Sequence, residues 1–225
     1  MGEYYCWANT NKKQCMWGID FDYGSKYWES MGGDDTIILA LQSLLNDEWK
    51  GDRIVWLGDE SLLQEDIDKA YLKNSNKEYI EFINMLGKLD VMSAGYKNVS
   101  GLFKEAKENV MEEIGYYLDS YKNGGSKDNE YGIDVNKPFD GLFTKTGKRY
   151  KYLLNHSKKV FYSFGETDLI DNRNGEILDW DASPLPSLMS YGSFGGCGEW
   201  LRDIIGVSDE RPNDYKLLNS ILITI

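Results

Sequence analysis

One histidine, three cysteines and four prolines are spread over 225 residues, and these scarcities remove several chemistries at once. His156 lies in a stretch read as a hairpin turn, so a Ser or Cys nucleophile has no other imidazole to serve as its base. Cys6, Cys15 and Cys197 are too few and too irregular for a disulfide framework, and without a C-x-x-C pair they do not suggest a zinc site. Cys6 and Cys15 could face each other across a hairpin, where reduced thiols are expected in a cytosol. No apolar run is long enough to cross a bilayer. The opening M-G-E-Y-Y-C-W-A lacks the basic and apolar regions of a secretory signal, so the expected location is cytoplasmic. Basic residues are also short: 25 Lys and Arg stand against 37 Asp and Glu, a net charge of −12. That leaves no basic footprint for direct binding of duplex nucleic acid.

Aromatic and acidic residues are what the chain has in quantity. Sixteen Tyr, eight Phe and seven Trp, many in short extended runs, favour sheet and argue against disorder. The acid excess favours solubility or a basic partner surface.

Two stretches follow one template. N-T-N-K-K-Q-C-M-W-G-I-D-F-D from Asn9 aligns without a gap on N-H-S-K-K-V-F-Y-S-F-G-E-T-D from Asn155. Asn9 matches Asn155, Lys12 and Lys13 match Lys158 and Lys159, and Asp20 and Asp22 match Glu166 and Asp168. Further on, W-K-G-D-R-I-V-W-L-G-D-E (Trp49 to Glu60) matches W-L-R-D-I-I-G-V-S-D-E (Trp200 to Glu210) with one gap. The pattern predicts strands at 4–9 and 13–17 around a polar turn, a helix after Asp34–Asp35 with Ile37, Ile38, Leu41, Leu44 and Leu45 on one face, and a strand at 53–57. The second copy predicts strands at 149–154 and 160–164, an irregular stretch from Leu169 to Gly198, and a terminal strand over 217–225.

Between the copies the chain reads as mostly helical from Ser61 to about Tyr121. Ser75 with Glu78 forms a capping-box pattern, and the longest helix is expected from near Ser100. Residues 126–147 read as a long ordered loop. The expected organisation is an α+β protein of two pseudo-repeated hairpin-helix-strand modules, mainly antiparallel. The boundaries are 1–60, 61–147 for a helical insertion with its loop, and 148–225, all in one compact unit.

Candidate sites follow from carboxylates at strand ends and aromatics on loops. Asp20, Asp22, Asp59 and Glu60 could meet in the first copy, and Glu166, Asp168, Asp209 and Glu210 in the second. Such clusters suit Mg2+ or Ca2+, or general acid–base work, but ion pairs that pin a hairpin to its neighbour are the better explanation. Tyr23, Tyr27 and Trp28 are candidate contacts in an aromatic loop, as are Tyr131 and Asp134 within N-E-Y-G-I-D. Cys197, in G-G-C-G, could expose a thiolate. The surrounding S-F-G-G-C-G-E-W lacks the spacing of a phosphate loop.

I-D-F-D-Y-G-S (Ile19 to Ser25) resembles the first motif of the haloacid-dehalogenase-like phosphatases, and V-W-L-G-D-E (Val55 to Glu60) resembles their later G-D motif. That resemblance implies a nucleophilic carboxylate, a partner acid, a lysine and Mg2+. The chain departs from the family pattern where the hydroxyl falls at Ser25 after Gly24, where a hairpin arm precedes Asp20, and where the interval to Gly58 is too short for the intervening strand–helix units. Read end to end, Y-Y-C-W-A-N-T-N-K-K, N-E-Y-G-I-D-V-N-K-P-F-D-G-L-F and W-L-R-D-I-I-G-V-S-D-E resemble a bacterial protein family with paired N-x-x-K-K hairpins and no attached activity. Its hairpins more often continue K-K-E-Y, where this chain has Gln14-Cys15 and Val160-Phe161. That likeness implies a coherent fold and no functional residue.

The leading expectation is an acidic interaction protein, inhibitor- or immunity-like, without catalytic residues or a required cofactor. Its partner would be a basic protein of the nuclease or defence-effector class. The alternatives are a Mg2+-dependent hydrolase using Asp20, Asp22 and Asp59, and a protein that sequesters a small nucleotide-like ligand.

Overall fold

Both N-x-x-K-K stretches are hairpin corners, and the asparagine explains why. The computed structural model describes residues 2–60, 75–125 and 129–224. In the first hairpin Tyr5–Asn9 (β1) pairs antiparallel with Gln14–Trp17 (β2). Asn9 is buried; its Oδ1 accepts from the Lys12 amide at 2.9 Å and its Nδ2 donates to Asp52 Oδ2 at 2.9 Å. Lys12 reaches the same Asp52 oxygen at 3.0 Å, and Lys13 takes a left-handed φ of 52° to turn into β2. The second hairpin, Tyr152–Asn155 (β5) with Val160–Ser163 (β6), repeats each contact. Asn155 accepts from the Lys158 amide at 2.8 Å and donates to Asp203 at 2.7 Å; Lys158 pairs with Asp203 at 3.1 Å, and Lys159 has φ 55°.

The sheets continue the correspondence. Ile54–Gly58 (β3) lies antiparallel on the outer edge of β1, with Asn9 opposite Ile54. Lys97–Asn98 (β4) lies parallel to β2, with Gln14 opposite Lys97. In the second sheet Ile205–Ser208 (β10) lies antiparallel on β5, with Asn155 opposite Ile205, and Lys216–Leu217 (β11) lies parallel to β6, with Val160 opposite Lys216. The aspartate of each corner is delivered by a buried tryptophan, since the Asp52 and Asp203 amides donate to the Trp49 and Trp200 carbonyls. Asp168–Asp171 (β7) pairs parallel with Ser220–Ile223 (β12). Ser190–Gly192 (β8) and Gly196–Cys197 (β9) extend the first sheet beyond β3.

Thr36–Asn46 (α1) buries Ile37, Ile38, Leu41, Leu44 and Leu45, the stripe its periodicity announces, and packs against β10. One apolar cluster joins α1 to Trp7, Met16 and Trp56 of the first sheet and to Leu153, Ile205 and Val207 of the second. Successive residues of a strand point to opposite faces, so Cys6, Ala8, Val55 and Leu57 form a second cluster. Ile83 and Leu86 of Lys77–Leu86 (α2) cover it. The remaining helices are Lys107–Lys122 (α3) and Leu185–Met189 (α4). The described residues thus form an α+β fold of four helices and three mixed sheets of six, four and two strands. Among them no helix is long and apolar enough to cross a membrane.

Several local expectations change. The sheets are mixed rather than mainly antiparallel, because β4, β8, β11 and β12 all enter as parallel partners. The long helix begins at Lys107 rather than near Ser100: Phe103 is extended (φ −99°, ψ 137°) and bridges to Lys145, leaving two 3-10 turns ahead of α3. Asn76, not Ser75, caps α2, accepting from the Tyr79 amide at 2.8 Å. The stretch from Leu169 to Gly198 holds α4, β8 and β9 and most of β7. The expected helical reading of 61–74 lies outside the described residues.

Candidate binding cleft

The turn after β2 buries one of the D-x-D acids and leaves the other exposed on the same cleft. Gly18–Phe21 forms a 3-10 turn closed by Asp22 in the left-handed region at φ 63°. Asn109, in the first turn of α3, donates Nδ2 to the Ile19 carbonyl at 3.1 Å and to Asp22 Oδ1 at 2.8 Å, pinning the turn to the helix. Asp20 points inward and is 4% exposed. Its oxygens accept from Asn98 Nδ2 and from the Tyr131 hydroxyl, each at 3.0 Å. Asn98 also reaches Glu130 Oε1 at 3.4 Å and is itself fixed by the Ser100 amide at 2.9 Å. One amide therefore stands between two carboxylates that the fold has drawn out of water.

The electrostatics follow from that burial. Desolvation first, then the neighbouring Asp20 charge, raise the Glu130 carboxyl above its ordinary value. Burial, then Asp20 and Glu130, likewise push the Tyr131 phenol up. The Cys15 thiol beneath is pushed up to about 12 by burial, then by Glu130 and Asp20. Outside this pair a cleft of about 600 Å³ opens between the turn and α3. Asp22, Glu112 and Glu113 add three more carboxylates, Trp17 and Tyr23 supply rings, and none of the described residues lining it is basic. Such a site favours a guanidinium or ammonium, through Coulomb attraction and ring faces.

The other expected site residues are placed as follows. Asp59 does not join Asp20 and Asp22; it lies across β1, where it accepts from the Tyr4 amide at 2.8 Å. Glu60 is exposed, and its carbonyl accepts from the Ser193 hydroxyl. Tyr27 is 1% exposed, packed edge-on to Tyr5 with ring centroids 5.2 Å apart, so it is a core residue rather than a loop contact. Trp28 is exposed and packs against Phe194. Tyr23 is half-buried, and its hydroxyl accepts from the Thr36 amide. Tyr131 lies under the cleft, while Asp134 is exposed and holds its own turn through the Asn136 amide. In the second copy Glu166 pairs with Arg211 at 2.8 Å and Asp209 with Lys148 at 2.6 Å, as structural ion pairs. Neither Asp168 nor Glu210 lines the cleft. Asn98, Asn109, Glu112 and Glu113 escaped sequence reasoning because they come from separate segments; Glu130 lay within the flagged N-E-Y-G-I-D stretch.

The arrangement implied by the phosphatase resemblance does not form. The strand before Asp20 is a hairpin arm, and both Asp20 oxygens are held by neutral donors. Among the described residues no group of three or more His, Cys, Asp or Glu is placed to hold a metal ion. Cys197 offers no thiolate, since burial pushes its thiol up to about 11. Labelling of the native protein by a thiol reagent should therefore be slow at pH 8 and accelerate at Cys197 only as the pH approaches 11. Fast labelling of Cys197 at pH 8 would contradict that burial.

No protein-family model matches the chain, and neither a curated protein nor a solved structure matches it.

Proposed function

We propose that the two four-strand units are copies of one structural module joined by a helical insertion, and that the protein is an acidic, inhibitor- or immunity-like binding protein. The cleft between the first module and α3 takes a cationic group of a partner protein. The observation that carries this reading is the convergence of Asp20, Asp22, Glu112, Glu113 and Glu130 on one cleft with no basic residue among its described lining. Enzymes that act on nucleic acid must present basic surfaces to phosphates, so nucleases and defence effectors of that kind are the partner class with complementary charge. A nucleotide-like ligand fits less well, because its phosphates would face carboxylates.

The cleft also carries a cost in stability, as binding sites often do. Glu130 ionises in the unfolded chain near its ordinary 4.5, but at a higher pH in the fold. The stability that its protonation contributes is complete below about 4.5 and is lost as the pH rises through the raised folded value. Glu130→Gln should therefore raise the melting temperature at pH 7, with the difference shrinking towards pH 4, while weakening partner binding. A lower melting temperature at pH 7 would mean that the ionised carboxylate serves the fold.

The functional reading is tested with a panel of purified basic nucleases, measuring complex formation and residual nuclease activity. Expected is a complex with at least one member that weakens steeply between about 0.1 and 0.5 M salt, as screening shortens the range of the charges. Salt-independent binding, or no binding across the panel, counts against it. A rise in melting temperature with Mg2+ that Asp20→Asn removes would favour the hydrolase instead.

A further inference from the structure

Beside the acidic cleft runs a smaller groove of about 350 Å³ lined largely by apolar surface, including Met92, Ile114, Tyr116, Tyr117 and Ile133. The two are not separate. Met92, Glu113 and Glu130 line both. One face of α3 runs the length of the pair: Asn109, Glu112 and Glu113 border the acidic part, and Tyr116, Tyr117 and Ser120 the apolar part. Steps of three and four place these side chains on a single stripe of the helix. The stripe spans about 16 Å at the α-helical rise, the length of about five residues of extended chain.

The rim is unusually apolar for a surface so acidic. Ile19 is 65% exposed, Met92 61% and Tyr116 63%, and together they border the acidic and apolar parts. Large side chains left in water beside a groove favour a partner that covers them, and a methionine accommodates varied apolar shapes. Charge decides the chemistry of that partner. A second copy of this chain carries −12 and would be repelled by the cleft, whereas a basic segment is drawn to it.

We infer that the cleft and groove form one two-part receptor for a short basic–apolar segment of a partner protein. An Arg or Lys lies among the carboxylates at the Asn109 end of α3, and a Leu- or Phe-sized side chain, a few residues away, lies between Met92 and Tyr116. This rests on the cationic reading of the cleft and adds the apolar half and the order of the two parts. The charge contributes attraction and salt dependence, and burial of the apolar side chain contributes most of the salt-independent affinity.

Labelled eight-residue peptides, titrated against the full chain by fluorescence anisotropy, test the pairing. One carries two Arg followed by Leu-Phe; a second replaces Leu-Phe with Gly-Ser; a third replaces the Arg pair with Gln. Expected is binding of the first at least about tenfold tighter than either control, the size of effect that burying one or two apolar side chains gives. Met92→Ala should remove much of that advantage without altering the salt dependence, and Tyr116→Ala should remove it too while freeing the Glu112 carboxylate to which its hydroxyl donates at 3.0 Å. Both side chains are largely exposed, so their truncation leaves the core intact. If the Arg peptide binds as tightly with Gly-Ser as with Leu-Phe, and Tyr116→Ala changes nothing, the two-part receptor is wrong while the cationic cleft stands. If the Gln peptide binds as well as the first, or no peptide binds, both fall.

Discussion

Asn155→Ala should lower the melting temperature by about 5–10 °C, and Asn9→Ala by a similar amount. Each asparagine is fully buried and makes its hydrogen bonds with both ends of its amide. Truncation leaves a turn amide without its acceptor and takes a donor from a mostly buried aspartate. Stranding such groups costs about 2–3 kcal/mol, more than the net worth of an intact bond. For a chain of this size each kcal/mol moves the melting temperature by about 2–4 °C. The lysine pairs add little, since Lys12 and Lys158 are about 40% exposed and such pairs contribute about 0–1 kcal/mol. Lys12→Ala should accordingly shift the transition by no more than about 4 °C. Asn9→Asp keeps the acceptor but sets a second carboxylate against Asp52, so its loss should shrink on acidification. Circular-dichroism melts of the four variants check this, and shifts below 1 °C for both asparagine truncations would show that the corners are not held as described.

Glu112→Lys combined with Glu113→Lys should weaken binding of a basic partner by at least about 100-fold, with the fold intact. Both side chains are exposed on α3 and line the cleft. Each reversal replaces an attraction with a repulsion, and close charge pairs across interfaces couple by about 1.5 kcal/mol or more, roughly tenfold each. The control is Glu176→Lys with Asp214→Lys, which makes the same change in net charge on exposed residues outside the cleft. If the protein acted only through its overall charge, the two double variants would lose affinity equally. A loss confined to the α3 pair assigns binding to the cleft.

The hairpins, α1 and β3 were legible because their signals are local: a polar corner between apolar runs, and an apolar stripe at helical period. The paired N-x-x-K-K motifs were legible as a repeat, but their meaning lay in Asp52 and Asp203, which reach the corners only after the intervening chain returns. Parallel additions left no local trace. β4 is two residues long, and β8 depends on a stretch late in the chain reaching back to β3. The D-x-D acids do share one cleft, but sequence does not state exposure; the 3-10 turn buries Asp20 and leaves Asp22 outside. Its counterpart in the second copy diverges, with Asp168 opening β7 and Glu166 held by Arg211. The matching Asn and Lys residues are frame at the corners, while the cleft sets Glu112, Glu113 and Glu130, which have no counterpart in the second copy, beside Asp20 and Asp22 of the first.

The most direct test is to locate where a cation binds on a chain whose surface acids are many. Backbone amide shifts of the 15N-labelled protein, followed while the Arg-Arg-Leu-Phe peptide is added, give that map. The expected result is a saturating set of shifts confined to the turn Gly18–Asp22, the chain around Met92, the 109–120 stretch of α3 and residues 129–133. Shifts scattered over unrelated acids such as Asp168, Glu176 and Asp214, or none at all, would contradict the assignment of this cleft as the binding site.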